Sequence, residues 1–239
     1  MSTILLNIGN TNCQIAWLEA NGELGGMHTV PTSALPAPPL LAELAAVPGL
    51  AACVVPRARA VLSERFPNLR FLALDDVPFV DFSLVDPSTL GADRLANLAA
   101  AAELGGPRIV LDCGTAITTE VLDEKGRFRG GAILPGRRLL RQALHDHTAQ
   151  LPLVPLGDLA PPAIGPNTAA AILAGTDAAV LGAVAHLLEA SRREIGCDVC
   201  PMLAVGGDAA YFARHLPDVA AGPADFTLRG LRAVLRRGR

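Results

Sequence analysis

The sequence predicts an α/β fold that is built twice along the chain. An apolar run enters a glycine turn at residues 4–11, and a second run of the same shape enters another at residues 109–115. Residues 50–55 form an apolar run without alternation, which is typical of a strand buried in a parallel sheet. Segments rich in alanine and leucine at 91–103 and 167–190 predict helices. Together these observations indicate a duplicated α/β architecture.

The bulk composition is that of a globular chain with a sizeable core. Hydrophobic residues make up 51% of the 239 residues and charged residues 18%, too little charge for disorder. The formal net charge of −3 provides no global basic field, so we expect no nucleic-acid partner. No basic stretch precedes the first apolar run, and no window approaches ~20 unbroken apolar residues. We therefore expect no signal peptide and no membrane partner.

Five cysteines are dispersed along the chain at Cys13, Cys53, Cys113, Cys197 and Cys200. Their odd number and spacing argue against a disulfide framework and predict a cytoplasmic protein. Cys197 and Cys200 form a CxxC pair, but a zinc site needs further ligands that no nearby residue evidently supplies. The pair also lacks the strand-to-helix context of a redox motif. We interpret it as two thiols near a strand start.

The first half is predicted to alternate strands and helices after an initial run of three strands. The strands are expected at residues 3–8, 14–18, 24–30, 50–55 and 69–74. Helices are expected at 40–46 and 61–66, and a third helix at 91–103 ends at a pair of glycines. Four prolines mark residues 31–39 as a loop.

The second half repeats this theme. Strands are expected at residues 108–112, 117–122, 127–132 and 202–205. Helices are expected at 137–145, 167–190, 208–215 and 228–235, the second of them broken or bent near Gly175 or Gly182. No linker separates the halves, and we place them at residues 1–104 and 105–239, with a nucleotide site in the cleft between them.

Each half carries a glycine turn directly after an apolar strand. Phosphate binding requires backbone N–H groups aimed at oxygen atoms, and glycine allows the chain to approach closely. The turns are Gly9-Asn10-Thr11 and Gly114-Thr115, and an Asx residue, Asn7 or Asp112, stands at the end of each strand. Asp112 is a candidate oxygen ligand for a hard cation at the phosphates. The alternative is that Asp112 only stabilises its turn.

A third candidate element is Gly91-Ala92-Asp93-Arg94, at the start of a predicted helix. A helix N-terminus offers N–H donors and a favourable dipole to anionic groups. Asp93 is a candidate acceptor for the proton of a substrate hydroxyl, and Arg94 is a candidate partner for an anionic oxygen. The alternative is that Asp93 is an N-terminal cap and no more.

Nearly the whole chain, in order, resembles the type III pantothenate kinase family of the actin, sugar-kinase and heat-shock ATPase superfamily. The combination of motifs is highly specific. The motifs that carry the resemblance are Leu6-Asn7-Ile8-Gly9-Asn10-Thr11, Cys53-Val54-Val55-Pro56, Gly91-Ala92-Asp93-Arg94, Asp112-Cys113-Gly114-Thr115-Ala116, Gly130-Gly131-Ala132-Ile133-Leu134-Pro135-Gly136, Thr148-Ala149-Gln150-Leu151-Pro152, Ile164-Gly165-Pro166-Asn167-Thr168, Gly206-Gly207-Asp208 and Leu228-Arg229-Gly230-Leu231.

The resemblance implies duplicated ribonuclease-H-like halves and a specific reaction. The γ-phosphoryl group of ATP would pass to the primary hydroxyl of pantothenate, the first step of coenzyme A synthesis, with magnesium and a monovalent cation, potassium or ammonium. The implied ATP-binding residues are Asn7, Ile8, Gly9, Asn10, Thr11, Asn12, Cys13, Gln14 and Thr115. The implied substrate-binding residues are Leu84, Gly91, Ala92, Asp93, Arg94 and Thr168, the last reaching across the interface of a homodimer. Asp93 is the implied catalytic proton acceptor, and Asp112 is the implied metal ligand at the monovalent cation site.

Two residues depart from the family pattern. Asn7 replaces an aspartate, and a neutral amide keeps the shape and one oxygen but loses the charge that favours magnesium. We expect this loss to cost several kcal/mol of transition-state stabilisation. Leu84 stands where the family usually places an aromatic residue beside pantothenate. Two alternatives therefore stay open: a non-catalytic paralogue that binds a nucleotide or pantothenate-like ligand and acts through partners, and a kinase for a different small hydroxylated acid.

Overall fold

The computed structural model describes residues 3–35 and 47–237, and the chain divides into two compact units. The predicted helix at 40–46 and the end of the predicted proline-rich loop lie outside the described residues. The first unit comprises Met1–Gly106, Glu124–Phe128 and Asp225–Arg239, and the second comprises Pro107–Asp123 and Arg129–Ala224.

The first unit contains a five-stranded sheet with its first strand at the centre. The strands are β1 (Thr3–Ile8), β2 (Asn12–Leu18), β3 (Leu24–Pro31), β4 (Gly49–Cys53) and β5 (Leu69–Phe71). They lie in the order β3-β2-β1-β4-β5, with antiparallel pairing on the β2 and β3 side and parallel pairing on the β4 and β5 side. Helices α1 (Pro56–Arg65) and α2 (Ala92–Leu104) follow β4 and β5.

The second unit contains a sheet of the same design. Its strands are β6 (Arg108–Cys113), β7 (Ala116–Leu122), β8 (Ile133–Pro135), β9 (Met202–Val205) and β10 (Val219–Ala221). Their order is β10-β9-β6-β7-β8, again with antiparallel pairing on one side of the first strand and parallel pairing on the other. The remaining helices are α3 (Arg137–Asp146), α4 (Thr168–Glu194), α5 (Ala209–His215) and α6 (Phe226–Arg237).

The duplication extends to individual positions of the central strands. In both β1 and β6 the first and fifth residues are partly exposed and the other four are buried. The fifth residue is Asn7 in β1 and Asp112 in β6, so the two polar side chains occupy equivalent places. The predicted α/β duplication is confirmed, and it follows from two runs of branched apolar residues that are buried on both faces.

Each sheet is covered by apolar side chains from helices of its own unit. In the first unit, Ile4, Leu6 and Ile8 of β1 pack in one cluster with Leu62 of α1 and with Phe66, which directly follows α1. In the second, a separate cluster joins β6 and β9 to α4 and α5; it includes Leu111, Met202, Val184, Leu188 and Phe212. These cores fix the strand ends from which the candidate site residues project.

The predicted strand at 127–132 is wrong, because the third strand of the second sheet begins only at Ile133. Gly130 has a φ of 96°, and a Cβ on Gly131 would lie 1.6 Å from the carbonyl oxygen of Thr119. The chain therefore approaches β7 closely through glycines, with Val121 N–H donating to Gly130 O at 3.0 Å, before regular pairing starts.

The long helix α4 has no break at either glycine where one was expected. Gly175 and Gly182 lie in one continuous helix of 27 residues, and a Cβ on either would meet no atom within 4 Å. An 18-residue window of α4 has a mean hydropathy of 1.7 and is 39% buried, so α4 is long and apolar enough to cross a membrane by length and composition only. Its buried residues Val180, Val184 and Leu188 belong to the core of the second unit.

The C-terminal helix α6 packs in the first unit, although it is far from that unit in sequence. A Cβ on Gly230 would lie 1.8 Å from the carbonyl oxygen of Ala96 in α2, so the two helix backbones are in direct contact. The hydroxyl of Thr227 donates to Asn97 Oδ1 at 2.9 Å in the same buried interface. The division at residues 104 and 105 stays a prediction, whereas contacts place residues 225–239 with the first unit.

Candidate active site

The first glycine turn connects β1 to β2 and is held by backbone and side-chain hydrogen bonds. Gly9 N–H donates to Asn12 O at 3.0 Å and closes the turn. Thr32, in a single turn of 3-10 helix, donates its hydroxyl to Gly9 O at 2.7 Å and its N–H to Thr11 O at 2.9 Å. Sequence reasoning missed Thr32, because nothing local marks a threonine 23 residues away as a support for this turn.

Asn7 lies near the end of β1, and its side chain is ordered by a neighbour on β2. Its Nδ2 donates to Gln14 Oε1 at 3.1 Å, because strand pairing places the two residues opposite each other. An amide that donates on this side directs its oxygen away from Gln14. A carboxylate in place of Asn7 has no N–H to donate, so Gln14 would need to present its own amide N–H₂ instead.

The second glycine turn brings glycine backbone close to the Asp112 carboxylate. A Cβ on Gly206, whose φ is 86°, would lie 2.6 Å from Asp112 Oδ1, and the nearest side-chain atom to a Cβ on Gly114 would be the same oxygen at 3.8 Å. Gly136 N–H donates to Thr115 O at 2.9 Å, and a Cβ on Gly136 would lie 2.4 Å from Gly114 O. Three glycines thus keep the space beside this carboxylate and turn free of side chains.

Asp93 lies inside the first turn of α2, where Gly91 occupies the N-cap position. The alternative of Asp93 as the cap residue is therefore wrong. Its Oδ1 accepts the N–H of Arg94 at 2.7 Å, and a Cβ on Gly91 would lie 2.6 Å from that oxygen. Burial raises the pKa of the Asp93 carboxyl above its ordinary value, and the N–H and charge of Arg94 offset part of that effect. A partly buried carboxylate with a raised pKa is suited to accept a proton.

A cavity of about 470 Å³ opens beside the start of α2 within the first unit. Its lining residues come from the end of β4, α1, the segment after β5 and the approach to α2: Cys53, Val54, Arg59, Leu72, Ala73, Leu74, Pro87, Ser88, Leu90, Gly91, Ala92 and Leu95. Of the predicted substrate residues, Gly91 and Ala92 line it, whereas Asp93, Arg94, Thr168 and Leu84 do not. Leu84 is 51% exposed. Arg59 and Ser88 are polar residues that sequence reasoning missed, since only the fold brings them to this cavity.

Arg94 and Thr168 occupy helix starts in different units. The Arg94 guanidinium lies over the ring of Phe128 at 6.0 Å, a packing partner from a segment that rejoins the first unit. Thr168 is the first residue of α4 and is exposed, and the preceding Asn167 caps the helix by accepting the N–H of Ala170 at 2.9 Å. Asn167 is therefore the N-cap of α4.

A buried ionic network, which sequence reasoning missed entirely, lies beside the second glycine turn. Arg137 and Arg141 of α3 both bind Asp177 of α4, at 3.2 Å and 2.6 Å, and all three side chains are at most 3% exposed. Arg137 also lies 3.6 Å from Asp208 Oδ1 and 3.4 Å from the ring centre of Tyr211. The sequence offered no signal, because the partners are about 40 residues apart.

Asp208 connects this network to the second turn. Its N–H donates to Cys113 O at 3.0 Å, directly before the glycine turn. Burial raises the pKa of the Asp208 carboxyl, whereas the charges of Arg137, Arg138 and Arg141 lower it. Arg137 therefore joins α3, α4 and the Gly206-Gly207-Asp208 segment into one supported surface around Asp112.

A metal ion here would depend on few protein ligands. Within residues 3–35 and 47–237, no three or more His, Cys, Asp and Glu side chains are grouped to hold a metal ion. Magnesium at a nucleotide takes most of its oxygen ligands from phosphates and waters, so one or two carboxylates suffice. The glycine-walled Asp112 carboxylate fits such a cation, and the neutral Asn7 fits one less well.

The two sheets and their turns define the class of protein. The structure matches that of a Baf family transcriptional activator from Campylobacter jejuni, with a TM-score of 0.65, 17% identity and 98% of each chain covered. It also matches a 2-dehydro-3-deoxygalactonokinase protein from Sinorhizobium meliloti, with a TM-score of 0.61, 18% identity and 98% of each chain covered. The fold is therefore the duplicated ribonuclease-H-like fold of sugar kinases and actin-like ATPases.

Sequence comparison identifies the family. The family model that describes type III pantothenate kinase matches residues 3–190, and the chain belongs to this family. The chain is 44% identical to the type III pantothenate kinase of Gloeobacter violaceus over 154 residues, which cover 64% of this chain and 65% of that one. It is 31% identical to that of Methylacidiphilum infernorum over 97% of this chain and 87% of that one. The match to the Gloeobacter protein thus spans slightly less than two thirds of that relative.

Proposed function

We propose that this protein transfers the γ-phosphoryl group of ATP to the primary hydroxyl of pantothenate, as the first step of coenzyme A synthesis. The observation that carries the proposal is the partly buried Asp93 carboxylate in the first turn of α2, directly after Gly91 and Ala92, which line a cavity of about 470 Å³. Membership of the type III pantothenate kinase family supports the choice of pantothenate as the acceptor.

The proposed ATP-binding residues are those of the first glycine turn, Asn7 through Gln14, together with Thr115 of the second. A Cβ on Gly9 or Gly114 would lie 3.3 Å from a backbone carbonyl oxygen of its own turn, so glycine suits both tight turns. Thr32 holds the first turn through two hydrogen bonds. Backbone N–H groups in such turns bind phosphate without a charged side chain. Positioning of this kind is the main requirement of phosphoryl transfer.

The proposed acceptor site is the cavity at the start of α2 and the residues beside it. Asp93 would orient the attacking hydroxyl and take its proton, a role that its raised pKa favours. Arg94 would pair with the acceptor carboxylate, and Gly91 is required because any side chain there would displace the Asp93 carboxylate. Leu84, like Thr168, neither lines the cavity nor adjoins a lining residue in sequence, whereas Asp93 and Arg94 lie between the lining residues Ala92 and Leu95.

Asp112 is the residue proposed to hold the monovalent cation, potassium or ammonium, alongside magnesium at the phosphates. A bound cation neutralises charge on the phosphate oxygens. Gly206 and Gly114 keep the space beside the carboxylate open, and Arg137 supports the neighbouring Asp208. Asn7, at the equivalent position of β1, offers an oxygen without a charge, so we propose that the chain is a weakened kinase.

We further propose a soluble cytoplasmic homodimer in which Thr168 reaches the acceptor site of the partner, with neither nucleic acid nor membrane as partner. Thr168 is exposed at the start of α4. One exposed stripe of α4 consists of small residues at a heptad-like spacing, namely Ala171, Gly175, Ala178, Gly182 and Ala185. Small residues allow close helix packing, which supports α4 as the interface.

An assay of ATP-dependent pantothenate phosphorylation tests the proposal, with magnesium and potassium present. We expect slow turnover by the chain itself and a gain of about 10²–10³ in kcat for Asn7→Asp, since the restored carboxylate stabilises developing charge. Asn21→Asp is a matched control, because Asn21 lies in an exposed turn where its Oδ1 accepts Glu23 N–H at 2.9 Å, a bond that a carboxylate keeps. Folded protein without turnover in either form would refute the kinase and favour a ligand-binding paralogue.

A further inference from the structure

The CxxC pair of the second unit forms a tight turn that brings two free thiols together. Cys200 N–H donates to Cys197 O at 3.3 Å, which closes the turn 197–200, and both cysteines are reduced. A turn of this kind has its first and last Cα atoms within about 7 Å. A disulfide needs a Cα separation of about 4.4–6.8 Å. The backbone of this turn therefore already has the span of a disulfide.

The turn is held in place by its surroundings. The Arg192 guanidinium donates to Asp198 O inside the turn and binds Asp218 Oδ2 at 3.0 Å. Cys197 N–H donates to Arg192 O at 3.0 Å, so the turn is also attached to the last residues of α4. The backbone of this turn is already held by hydrogen bonds, so forming a disulfide here would cost little conformational entropy in the folded protein.

The two thiols differ in access. Cys200 is 4% exposed, whereas Cys197 is partly exposed at the edge of the second core. The Cys200 thiol donates to Pro201 O at 3.8 Å. Burial, followed by the neighbouring Cys197, raises the pKa of Cys200 to about 11, against the opposing charges of Arg108 and Arg192. Cys197 is thus the thiol that a reagent reaches first.

The remaining cysteines cannot compete for this pairing. Cys13 and Cys53 both pair with Ile8, one on each side of β1, so they are separated by two strand spacings, about 9.6 Å. Met202, two residues after Cys200, pairs with Ile109 of β6, and Cys113 lies four residues further along β6, about 13 Å away. Each distance exceeds the span of a disulfide.

We propose that Cys197 and Cys200 are a redox-active dithiol that a low-molecular-weight organic disulfide, RSSR, oxidises to an intramolecular disulfide. The Cys197 thiolate attacks RSSR, forms a mixed disulfide and releases one RS⁻. The Cys200 thiol then loses its proton to solvent, and the resulting thiolate attacks Cys197 Sγ, forms the Cys197–Cys200 bond and releases the second RS⁻. The two protein thiols lose two electrons and two protons, and RSSR gains two electrons to become two thiols.

The disulfide would act on stability rather than on the phosphate turns. The turn 197–200 precedes β9, whereas Gly206-Gly207-Asp208 follows the opposite end of that strand. Cross-linking this short turn restricts the unfolded chain, and we expect the thermal midpoint to rise by about 4 °C. This inference does not depend on the proposed kinase activity.

The test is to incubate the folded protein with oxidised glutathione and to analyse it by intact mass and peptide mapping. We expect the loss of two hydrogen atoms, a single Cys197–Cys200 peptide pair and no retained glutathione. Cys200→Ser should trap one glutathione on Cys197, and Cys197→Ser should remain unmodified. This asymmetry separates a sequential dithiol from unselective oxidation.

Two results would overturn the proposal. One is a stable glutathione adduct on the unsubstituted chain, which would show that Cys200 does not resolve the mixed disulfide. The other is an unchanged mass under conditions in which a model dithiol is fully oxidised. An oxidised protein with an unchanged or lower thermal midpoint would refute the stabilising effect, and the midpoint of Cys197→Ser after the same treatment is the control.

Discussion

At the scale of single residues, the candidate site differs from a fully charged one at Asn7. The strand pairing that places Gln14 opposite Asn7 gives the amide a fixed partner, so the substitution is accommodated without an unpaired donor at Asn7 Nδ2. Asp93 is the opposite case. Burial raises its pKa and so disfavours its charged form, and the N–H groups at the start of α2 and the charge of Arg94 offset part of this effect. The chemistry we propose therefore proceeds without a carboxylate charge at Asn7, and it requires Asp93 to be ionised although burial disfavours its charged form.

The raised pKa of Asp93 predicts a pH dependence. A carboxylate accepts a proton only when ionised, so kcat/KM should fall as the pH falls through a value above the ordinary aspartate pKa of about 3.9. Asp93→Asn should lower kcat by about 10²–10⁴ and remove this acid limb. Asp208→Asn is the control, because burial also raises the pKa of Asp208. An acid limb that survives in Asp93→Asn but disappears in Asp208→Asn would show that Asp208, and not Asp93, causes the pH dependence.

At the scale of secondary-structure elements, α3 and α4 are joined by charge as well as by apolar contact. Arg141 donates to Asp177 and to Thr176 Oγ1 of α4, at 2.6 Å and 3.3 Å, and also to Pro155 O at 2.6 Å. Two buried guanidinium groups thus share one fully buried carboxylate. Such a network fixes the geometry of the helices, but it makes each partner hard to remove.

We expect Asp177→Asn to destabilise the protein by about 3–5 kcal/mol, because Arg137 and Arg141 would keep buried charges without their carboxylate. Glu189→Gln, which removes an exposed partner of Arg193 on the same helix, should change stability by less than about 1 kcal/mol. Urea unfolding followed by circular dichroism measures both. Equal midpoints for the two variants would mean that the buried network contributes no more than a surface pair.

At the scale of the whole chain, segments distant in sequence complete each unit. Residues 124–128 and 225–239 both belong to the first unit, although the second unit separates them in sequence. Helix α6 contributes the buried residues Phe226, Leu228 and Leu231. The core of the first unit therefore includes side chains of α6, which follows the second unit in sequence.

The close contact of α6 with α2 predicts a severe effect of a single methyl group. Gly230→Ala would place Cβ against the backbone of Ala96, and we expect a loss of about 1–3 kcal/mol through overpacking. Arg229→Ala, on the exposed side of the same helix, should cost less than about 1 kcal/mol. Thermal unfolding compares the two, and a Gly230→Ala protein as stable as the original would contradict the observed helix contact.

The proposed homodimer is tested by analytical ultracentrifugation, which measures the mass in solution. We expect the chain to sediment at twice its mass and Ala178→Glu to sediment as a monomer, since the substitution places a charge on the exposed stripe of small residues in α4. Ala60→Glu is the matched control on the exposed side of α1 and should leave the mass unchanged. A dimer that tolerates Ala178→Glu would place the interface on another surface.

The local sequence pattern predicted most strands and helices, and two of its errors lie at glycines. The strand at Met202–Val205 and the helix beginning at Arg137 agree with their patterns, because each combines an apolar run with a clear turn signal. The strand expected at 127–132 and the break expected in α4 are wrong for the same reason. A glycine in the sequence does not reveal whether its missing side chain serves a close contact, as at Gly131, or nothing at all, as at Gly182.

The sequence by itself determined the duplicated fold, the two glycine turns, the helix start with Asp93 and the family, because these depend on residues that are close together in the chain. Only the tertiary structure decided which distant residues support them. Thr32 on the first turn, Arg59 in the cavity, Asp177 beneath the two arginines and α6 on α2 are long-range contacts. A single sequence carries no local signal for such pairs, since their energy arises only after folding has brought them together.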